Sequence, residues 1–272
     1  MNDDKLVYII LINYNSTEHT KECVESLLRV DYRNFRILIV DNHSEYSVDK
    51  LLEIDKNIDL IKNKANLGFA GGNNVGIKYA LDHGADYVLL LNNDTVVDSH
   101  FLTIMMNQAL ANHAAIVCPK ILNYYERNKV MYAGGDVSQF KGGVIIKGAG
   151  KVDGEKWSGT RNITFAHGCC MLIDKTVFGK AGFLPEDFFL YYEDTAFSAI
   201  LNHKHLNMIY AGNAVIYHKE SISVKKGSDD FQYYFVRNRL LFAARYIDKK
   251  YKFFCLDLYM GVYLQRSFYR EF

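Results

Sequence analysis

Proline is almost missing from this chain, with 2 in 272 residues beside 19 glycines. A proline-rich spacer between separate domains is therefore excluded, and with 49% hydrophobic residues one large, well-filled domain is expected. No stretch approaches the roughly 18 consecutive apolar residues of a membrane-spanning helix. The acidic opening MNDDKL runs directly into an apolar segment without the basic start of a signal peptide, so a cytoplasmic protein is expected. The cysteines, Cys23, Cys118, Cys169, Cys170 and Cys255, are odd in number and have no CxxC spacing. That pattern argues for buried, reduced thiols and against a zinc site or a disulfide framework. Charge is not concentrated either: the net charge is +1, and Lys225, Lys226, Arg237, Arg239 and Arg245 are scattered. Nucleic acid is set aside as a partner on that ground. Nor does a glycine-rich phosphate loop follow the first apolar segment, where the sequence reads NYNSTE; a nicotinamide dehydrogenase would need GxGxxG there.

What the chain does have is a series of apolar runs that end in amides and carboxylates. Leu6 to Asn13 reads LVYIILIN, Phe35 to Asp41 reads FRILIVD, and Tyr87 to Asp94 reads YVLLLNND. Continuous apolar runs of this length suit parallel strands covered on both faces. Between the first two, Thr17 to Arg29 places Cys23, Val24, Leu27 and Leu28 on one helical face, with Asn15 or Ser16 as the cap. From Asn66, NLGFAGGNN opens a second helical pattern before the third run. This alternation predicts an α/β fold with a Rossmann-like, mostly parallel central sheet flanked by helices, and in such sheets ligands collect beyond the carboxyl ends of the strands. Asn13, Asp41 and Asp94 are thereby expected to converge on one crevice. There Asp94 can hold a divalent cation through oxygen and Asp41 can accept from a nucleobase imide. Ordinary structural roles compete at both positions: a helix cap for Asp94, and an Asx-turn in DNHS for Asp41.

Further along, FLPEDFFLYYEDTAFS sets Glu193 and Asp194 directly after an aromatic run. Carboxylates beside apolar aromatic surface tend to have raised pKa values, which suits a general base working near neutrality. Acids also favour the first turn of a helix, and a helix starting near Glu193 would fix both carboxylates beside a pocket. Being adjacent, the two would diverge by about 100° on a helix and could not flank a sugar between them. A retaining glycosidase, with carboxylates about 5 Å apart across the scissile bond, is disfavoured for that reason.

The segments ILINYN (Ile10 to Asn15), VDNHS (Val40 to Ser44), NLGFAGGNNVGI (Asn66 to Ile77), LLLNNDT (Leu89 to Thr95), GCCMLI (Gly168 to Ile173), FFLYYED (Phe188 to Asp194), AVIYHKESIS (Ala214 to Ser223) and YYFVRNRLLF (Tyr233 to Phe242) occur in that order. Together they resemble the family-two glycosyltransferases of the GT-A fold, specifically the bacterial rhamnosyltransferase-like subgroup. The resemblance implies that Asp41 reads the nucleobase and that Asn13, Asn66, Gly68, Gly72 and Asn73 belong to the donor site. It implies that Asn92, Asn93 and Asp94 stand where the family has its DxD-type metal motif. Only Asp94 keeps a carboxylate, so the donor's diphosphate must supply much of the coordination. His218 resembles a family histidine near the metal or diphosphate, with an ordinary role in the fold as its competitor. Arg237, in the matched RNR segment, is a further donor-side candidate. Asp194 takes the place of the catalytic base, with Glu193 shaping the site. One departure stands out: many relatives carry another acid two places after the base, and this chain has Ala196.

The implied activity is inverting transfer of a sugar from a nucleoside diphosphate donor, dTDP-rhamnose or a UDP-hexose, to a hydroxyl of a growing glycan on lipid or protein. Mg²⁺ or Mn²⁺ is the implied cofactor. A sugar-phosphate nucleotidyltransferase and a non-catalytic nucleotide-sugar-binding protein are the competing readings. Residues 1–246 are expected to form the transferase domain, 1–118 as its nucleotide-sugar half and 119–246 as its acceptor half. The glycines between Val130 and Trp157 suggest a hairpin and a loop able to close over substrate, in which Trp157 either stacks on a sugar or anchors the loop. Residues 247–272 are expected to form an aromatic helical tail, whose apolar surface suggests a homo-oligomer contact assisted by peripheral association with the inner face of the membrane.

Overall fold

A computed structural model describes residues 5–219, 228–252 and 255. The three apolar runs are strands as expected: β1 (Val7–Asn13), β2 (Phe35–Asp41) and, after β3 (Ile58–Lys62), β4 (Tyr87–Asn92). Helix α1 (Thr17–Leu27) joins β1 to β2, and α2 (Gly68–Asp82) joins β3 to β4. The α1 face anticipated from spacing is the buried one, with Cys23, Val24 and Leu27 at 0% exposure. Ser16 is the residue at its N-cap, but its side chain makes no capping hydrogen bond.

The second half continues the same sheet. In chain order it contains β5 (Thr95–Val97), α3 (Phe101–Ala111), β6 (Ile116–Asn123), β7 (Val130–Tyr132), β8 (Gly135–Ser138), β9 (Gly143–Ile146), β10 (Thr160–Asn162), β11 (Cys170–Asp174), α4 (Thr176–Ala181), α5 (Glu193–His203), β12 (Met208–His218) and α6 (Asp229–Tyr246). Sheet order is β10-β12-β6-β11-β4-β1-β2-β3, with β5 added to β12 and β7 to β6. The β4-β1-β2-β3 block is parallel, β12 is parallel to β6, and β11 runs antiparallel between β4 and β6.

From β1 the chain moves to β2 and β3 on one side, then returns to place β4 on the other. That reversal is a topological switch point, where the connections leave in opposite directions and open a crevice beyond the strand ends. The register sets what lies there: Asn13 pairs with Asp41, and Ile12 with Asn92.

Helix α2 lies unusually close to this part of the sheet. A Cβ on Gly76 would stand 2.7 Å from Ile10 Cγ2 and 3.2 Å from Val40 Cγ2, and one on Gly72 would stand 3.3 Å from Ile12 Cδ1. The two glycines are four residues apart and so share a face. A smaller apolar cluster of Phe188, Ala196, Phe242, Ala243, Ile247 and Cys255 seats α6 on α5.

The glycine-rich stretch does form a hairpin, β8 with β9, in the register Gly135 to Ile146 and Ser138 to Gly143. Trp157 anchors the loop beyond it: its Nε1 donates to Val152 O at 3.1 Å, and its carbonyl accepts from Tyr210 Oη at 2.6 Å. The cysteines are free and buried. Among the described residues no helix is long and apolar enough to cross a membrane. Most of the 247–272 tail, and with it the expected oligomer contact, lies outside the described residues.

Gly76→Ala is expected to lower unfolding free energy by about 1–2 kcal/mol, because overpacking against Ile10 and Val40 outweighs the gain in helix propensity. Gly179→Ala is expected to raise it by about 0.5–1 kcal/mol, since a Cβ there meets nothing within 4 Å on the exposed face of α4. Urea unfolding of both variants checks this; midpoints moving in the same direction would contradict the close approach of α2.

Candidate active site

At the ends of β1 and β2 a chain of hydrogen bonds joins the polar side chains that the apolar runs deliver. Asn13 Nδ2 donates to Asp41 Oδ1 and to Ser44 Oγ, each at 3.0 Å. Ser44 Oγ donates to Asp41 Oδ1 at 2.5 Å, and Ser44 N to Asp41 Oδ2 at 3.2 Å. On the other flank Thr20 Oγ1 donates to Asn13 Oδ1, and Asn93 Nδ2 to Thr20 Oγ1, each at 2.7 Å. Asp41 thus does close its Asx-turn. Its Oδ2 accepts one hydrogen bond within the chain and keeps a lone pair for a further donor. Asn93 serves the same network.

Asn42, which no sequence pattern marked, holds the loop before α2. Its Nδ2 donates to Asn66 Oδ1 at 2.8 Å and Gly68 O at 3.1 Å, while its Oδ1 accepts from Asn63 Nδ2 at 3.0 Å and Leu67 N at 3.1 Å. A buried amide that satisfies all its donors and acceptors rigidifies what it touches. Gly68 has φ +71, and a Cβ there would lie 2.2 Å from Phe189 O, so the position admits only glycine. Gly72 faces the sheet, and Asn73 Nδ2 donates to Phe69 O at 2.9 Å inside α2. Both residues shape the loop's support.

The NND turn lies beside the end of β12. His218 pairs with Thr95 in the register, and its Nε2 lies 3.0 Å from Asp94 Oδ1 and 3.4 Å from Asn92 Nδ2. The contact to Asp94 is at ion-pair distance without hydrogen-bond geometry. Asn92 Oδ1 and Asp94 Oδ1 are buried with no hydrogen-bond partner among the described residues, as is His218 Nδ1 on the other edge of its ring. Orphaned buried acceptors are costly, so two oxygens and an imidazole left in this state fit a site for a cation. Octahedral Mg²⁺ holds ligands at about 2.1 Å, which sets neighbouring ligand atoms about 3.0 Å apart. Among the described residues no group of three or more His, Cys, Asp and Glu could hold a metal, so the remaining ligands would come from outside the protein. Lys219 braces the strand end: its backbone N donates to Asp94 O at 3.1 Å, and its ammonium bonds Glu22 on α1, holding that carboxyl below its usual range.

Helix α5 begins at Glu193, and the turn that feeds it is strained. Tyr191 and Tyr192 have φ values of 68° and 73°, left-handed conformations that cost bulky residues about 1–3 kcal/mol each. Asn238 of α6 holds them: its Nδ2 donates to Leu190 O at 2.8 Å and Tyr191 O at 2.9 Å. Arg237 Nη1 donates to Asp187 O at 3.0 Å and to Asn238 Oδ1 at 2.5 Å, so its hydrogen bonds go to this turn.

The two carboxylates are in different surroundings. Asp194 is half-buried; its Oδ2 accepts from Gly168 N at 2.9 Å and its Oδ1 from Thr195 N at 2.6 Å. Glu193 is 6% exposed with Oε2 unpartnered, and burial, reinforced by the charge of Asp194, pushes its carboxyl well above the usual range. The raised pKa anticipated for an acid beside aromatic surface therefore falls on Glu193. Asp194 is linked to the NND turn through the next residue along, because Cys169 O accepts from Asn92 N at 2.9 Å.

Since the folded-state pKa of Glu193 lies above its unfolded value near 4.5, the folded protein retains a proton that the unfolded chain loses. Its burial thus costs increasing stability as pH rises above that value. Glu193→Gln, neutral at every pH, is expected to match the parent in thermal midpoint near about pH 5 and to exceed it near about pH 8. A parent that gains stability over the variant as pH rises would contradict the buried, unpartnered carboxyl.

Comparison with known proteins finds similar chains among glycosyltransferases. The chain is 28% identical over 237 residues to the low-salt glycan biosynthesis hexosyltransferase Agl10 of Haloferax volcanii, covering 86% of this chain and 74% of that protein. It is 24% identical over 190 residues to the dTDP-rhamnosyl transferase RfbF of Shigella flexneri, covering 70% of this chain and 60% of that one. In fold it is similar to GalNAc-T7, solved with UDP, GalNAc and Mn²⁺, at a TM-score of 0.68 and 13% identity over 86% of this chain and 47% of that one. The architecture is the GT-A fold. Residues 8–182 match the sequence model described as glycosyl transferase family 2, and the chain belongs to that family.

Proposed function

We propose that the chain catalyses inverting transfer of a rhamnosyl or hexosyl group from a nucleoside diphosphate sugar to a hydroxyl of a growing glycan on lipid or protein. The observation that carries this reading is the juxtaposition of two kinds of group. A strand-end pair, Asp94 and His218, has unsatisfied ligand atoms, and a half-buried carboxylate, Asp194, is tied to the same turn through Gly168 and Cys169.

The residues divide the work. Asp41 receives the nucleobase imide, with Asn13 and Ser44 fixing its orientation. The loop from Asn66 to Gly68, pinned by Asn42, borders the donor. Asn92, Asp94 and His218 would hold Mg²⁺ or Mn²⁺, which supplies positive charge to the departing diphosphate. Asp194 takes the proton from the acceptor hydroxyl; its accessible position and its fixed hydrogen bonds suit a base whose direction matters. Glu193, kept protonated by burial, spares the site a second negative charge beside the first. The hexosyl and dTDP-rhamnosyl activities named for the relatives favour those donors, and the glycan-biosynthesis name favours a glycan acceptor.

Asp194→Asn is expected to keep nucleotide affinity and to lose transfer by about 10², the usual scale for a positioned base. Steady-state transfer with a donor from a panel of dTDP-rhamnose and UDP-hexoses checks this; near-normal turnover would remove Asp194 from the base role. Asp94→Ala is expected to weaken binding of UDP or dTDP about tenfold or more in Mg²⁺ or Mn²⁺ and to leave an affinity that a chelator does not change. Calorimetric titration decides it. A parent protein whose affinity is the same with either ion and with chelator would eliminate the metal.

A further inference from the structure

The turn that presents Glu193 and Asp194 contains no glycine where its backbone calls for one. Tyr191 and Tyr192 both occupy the left-handed region, with φ 68° and 73°, and the helix begins at the next residue. A side chain larger than asparagine's stays in that conformation when its surroundings hold it there. The surroundings here are specific. Asn238, 0% exposed, spends both amide hydrogens on two successive carbonyls, Leu190 O and Tyr191 O, and its own carbonyl is fixed by Arg237. Arg245, the penultimate residue of α6, forms an ion pair with Asp187 at the start of the same turn. On its other side the turn touches the donor loop, where Phe69 N donates to Phe189 O at 2.9 Å and Gly68 leaves no room for a Cβ. The turn therefore sits between the donor loop and α6, and Asn238 is the polar group that fixes its path.

We propose that Asn238 is a positioning residue for the transfer reaction: by clamping the Leu190–Tyr192 turn it aims the Asp194 carboxylate and keeps it in register with the donor loop. It acts through the backbone and touches no substrate. The inference rests on the glycosyl-transfer reading above.

The test combines rate, binding and local protection in Asn238→Ala. Hydrolysis of UDP-glucose or dTDP-rhamnose in Mn²⁺ is expected to fall about tenfold or more, the scale of a small misplacement of a catalytic group. Affinity for UDP or dTDP should stay within about twofold, because the donor loop is pinned separately by Asn42. Hydrogen exchange should quicken between Tyr192 and Phe197 and stay unchanged in β1, β2 and β4. Adding Tyr191→Gly, which adopts the left-handed turn without help, should recover part of the lost rate. A merely structural Asn238 would instead lower rate, affinity and thermal midpoint together, and Tyr191→Gly would deepen the loss. Unchanged hydrolysis in Asn238→Ala, or rate and affinity falling in parallel, overturns the inference. Should that variant fail to fold, Asn238→Ser, which keeps one donor, is judged by the same split between rate and affinity. A parent protein that binds neither UDP nor dTDP contradicts the glycosyl-transfer reading and this inference with it; a parent that binds and hydrolyses while the variant matches it contradicts this inference alone.

Discussion

Parallel pairing of β1 with β2 on one side and with β4 on the other brings Asn13 beside Asp41 and Ile12 beside Asn92, and the rest of the site is built outward from that register. A shift of one residue would turn every side chain on a strand to the opposite face and scatter the polar ends. The register is held by apolar burial rather than by the site itself: Val7, Ile9, Leu11, Ile37, Leu38, Ile39, Val88, Leu89 and Leu90 are all at 0% exposure. Two bare glycine positions then let α2 press onto Ile10 and Ile12, which fixes where the donor loop leaves the sheet. Core packing and site geometry are in this sense one constraint.

From that base the polar groups sort into satisfied and unsatisfied sets. Asn13, Asp41, Asn42 and Asn93 are each tied to the chain by hydrogen bonds, so they form a rim whose shape is held without a ligand. Asn92 Oδ1, Asp94 Oδ1 and His218 Nδ1, at the NND turn and the end of β12, have no such partner, and neither does Glu193 Oε2 at the start of α5. Buried acceptors without donors are expensive, and their concentration at one end of one sheet is what separates a site from a well-packed loop cluster. Glu193 relieves its own cost by holding a proton. Asp94 and His218 have no such relief within the described residues, which is why the proposed cation site lies there.

Strands β1, β2 and β4, helix α1 and the strand-end residues Asn13, Asp41 and Asp94 were legible in the sequence because apolar runs that stop abruptly at Asn or Asp state both the element and its end. Glu193 and Asp194 were legible for the same reason, as charges directly after an aromatic run. His218 was visible through the family resemblance, since nothing in IYHKES alone distinguishes a ligand from a core histidine. The amides Asn42, Asn74 and Asn238 were not legible. Apart from Arg237 beside Asn238, their partners are backbone groups and side chains between 21 and 112 residues away, and no local pattern encodes such a contact. Gly72 and Asn73 read as donor contacts; within the chain their immediate neighbours are Ile12, Asn42 and Phe69. Trp157, read as either a sugar platform or a loop anchor, does anchor its loop, with its indole bonded to Val152 O.

In the proposed reaction Asp94 and His218 form one face of a cation site next to the donor's diphosphate. Crystals grown with Mn²⁺ and either UDP or dTDP test it most directly through anomalous scattering at the manganese edge. A single strong peak is expected within about 2.0–2.3 Å of Asp94 Oδ1 and a His218 ring nitrogen, with diphosphate oxygens completing the shell. Manganese bound elsewhere, or a nucleotide ordered beside Asp41 with no metal near Asp94, would contradict it.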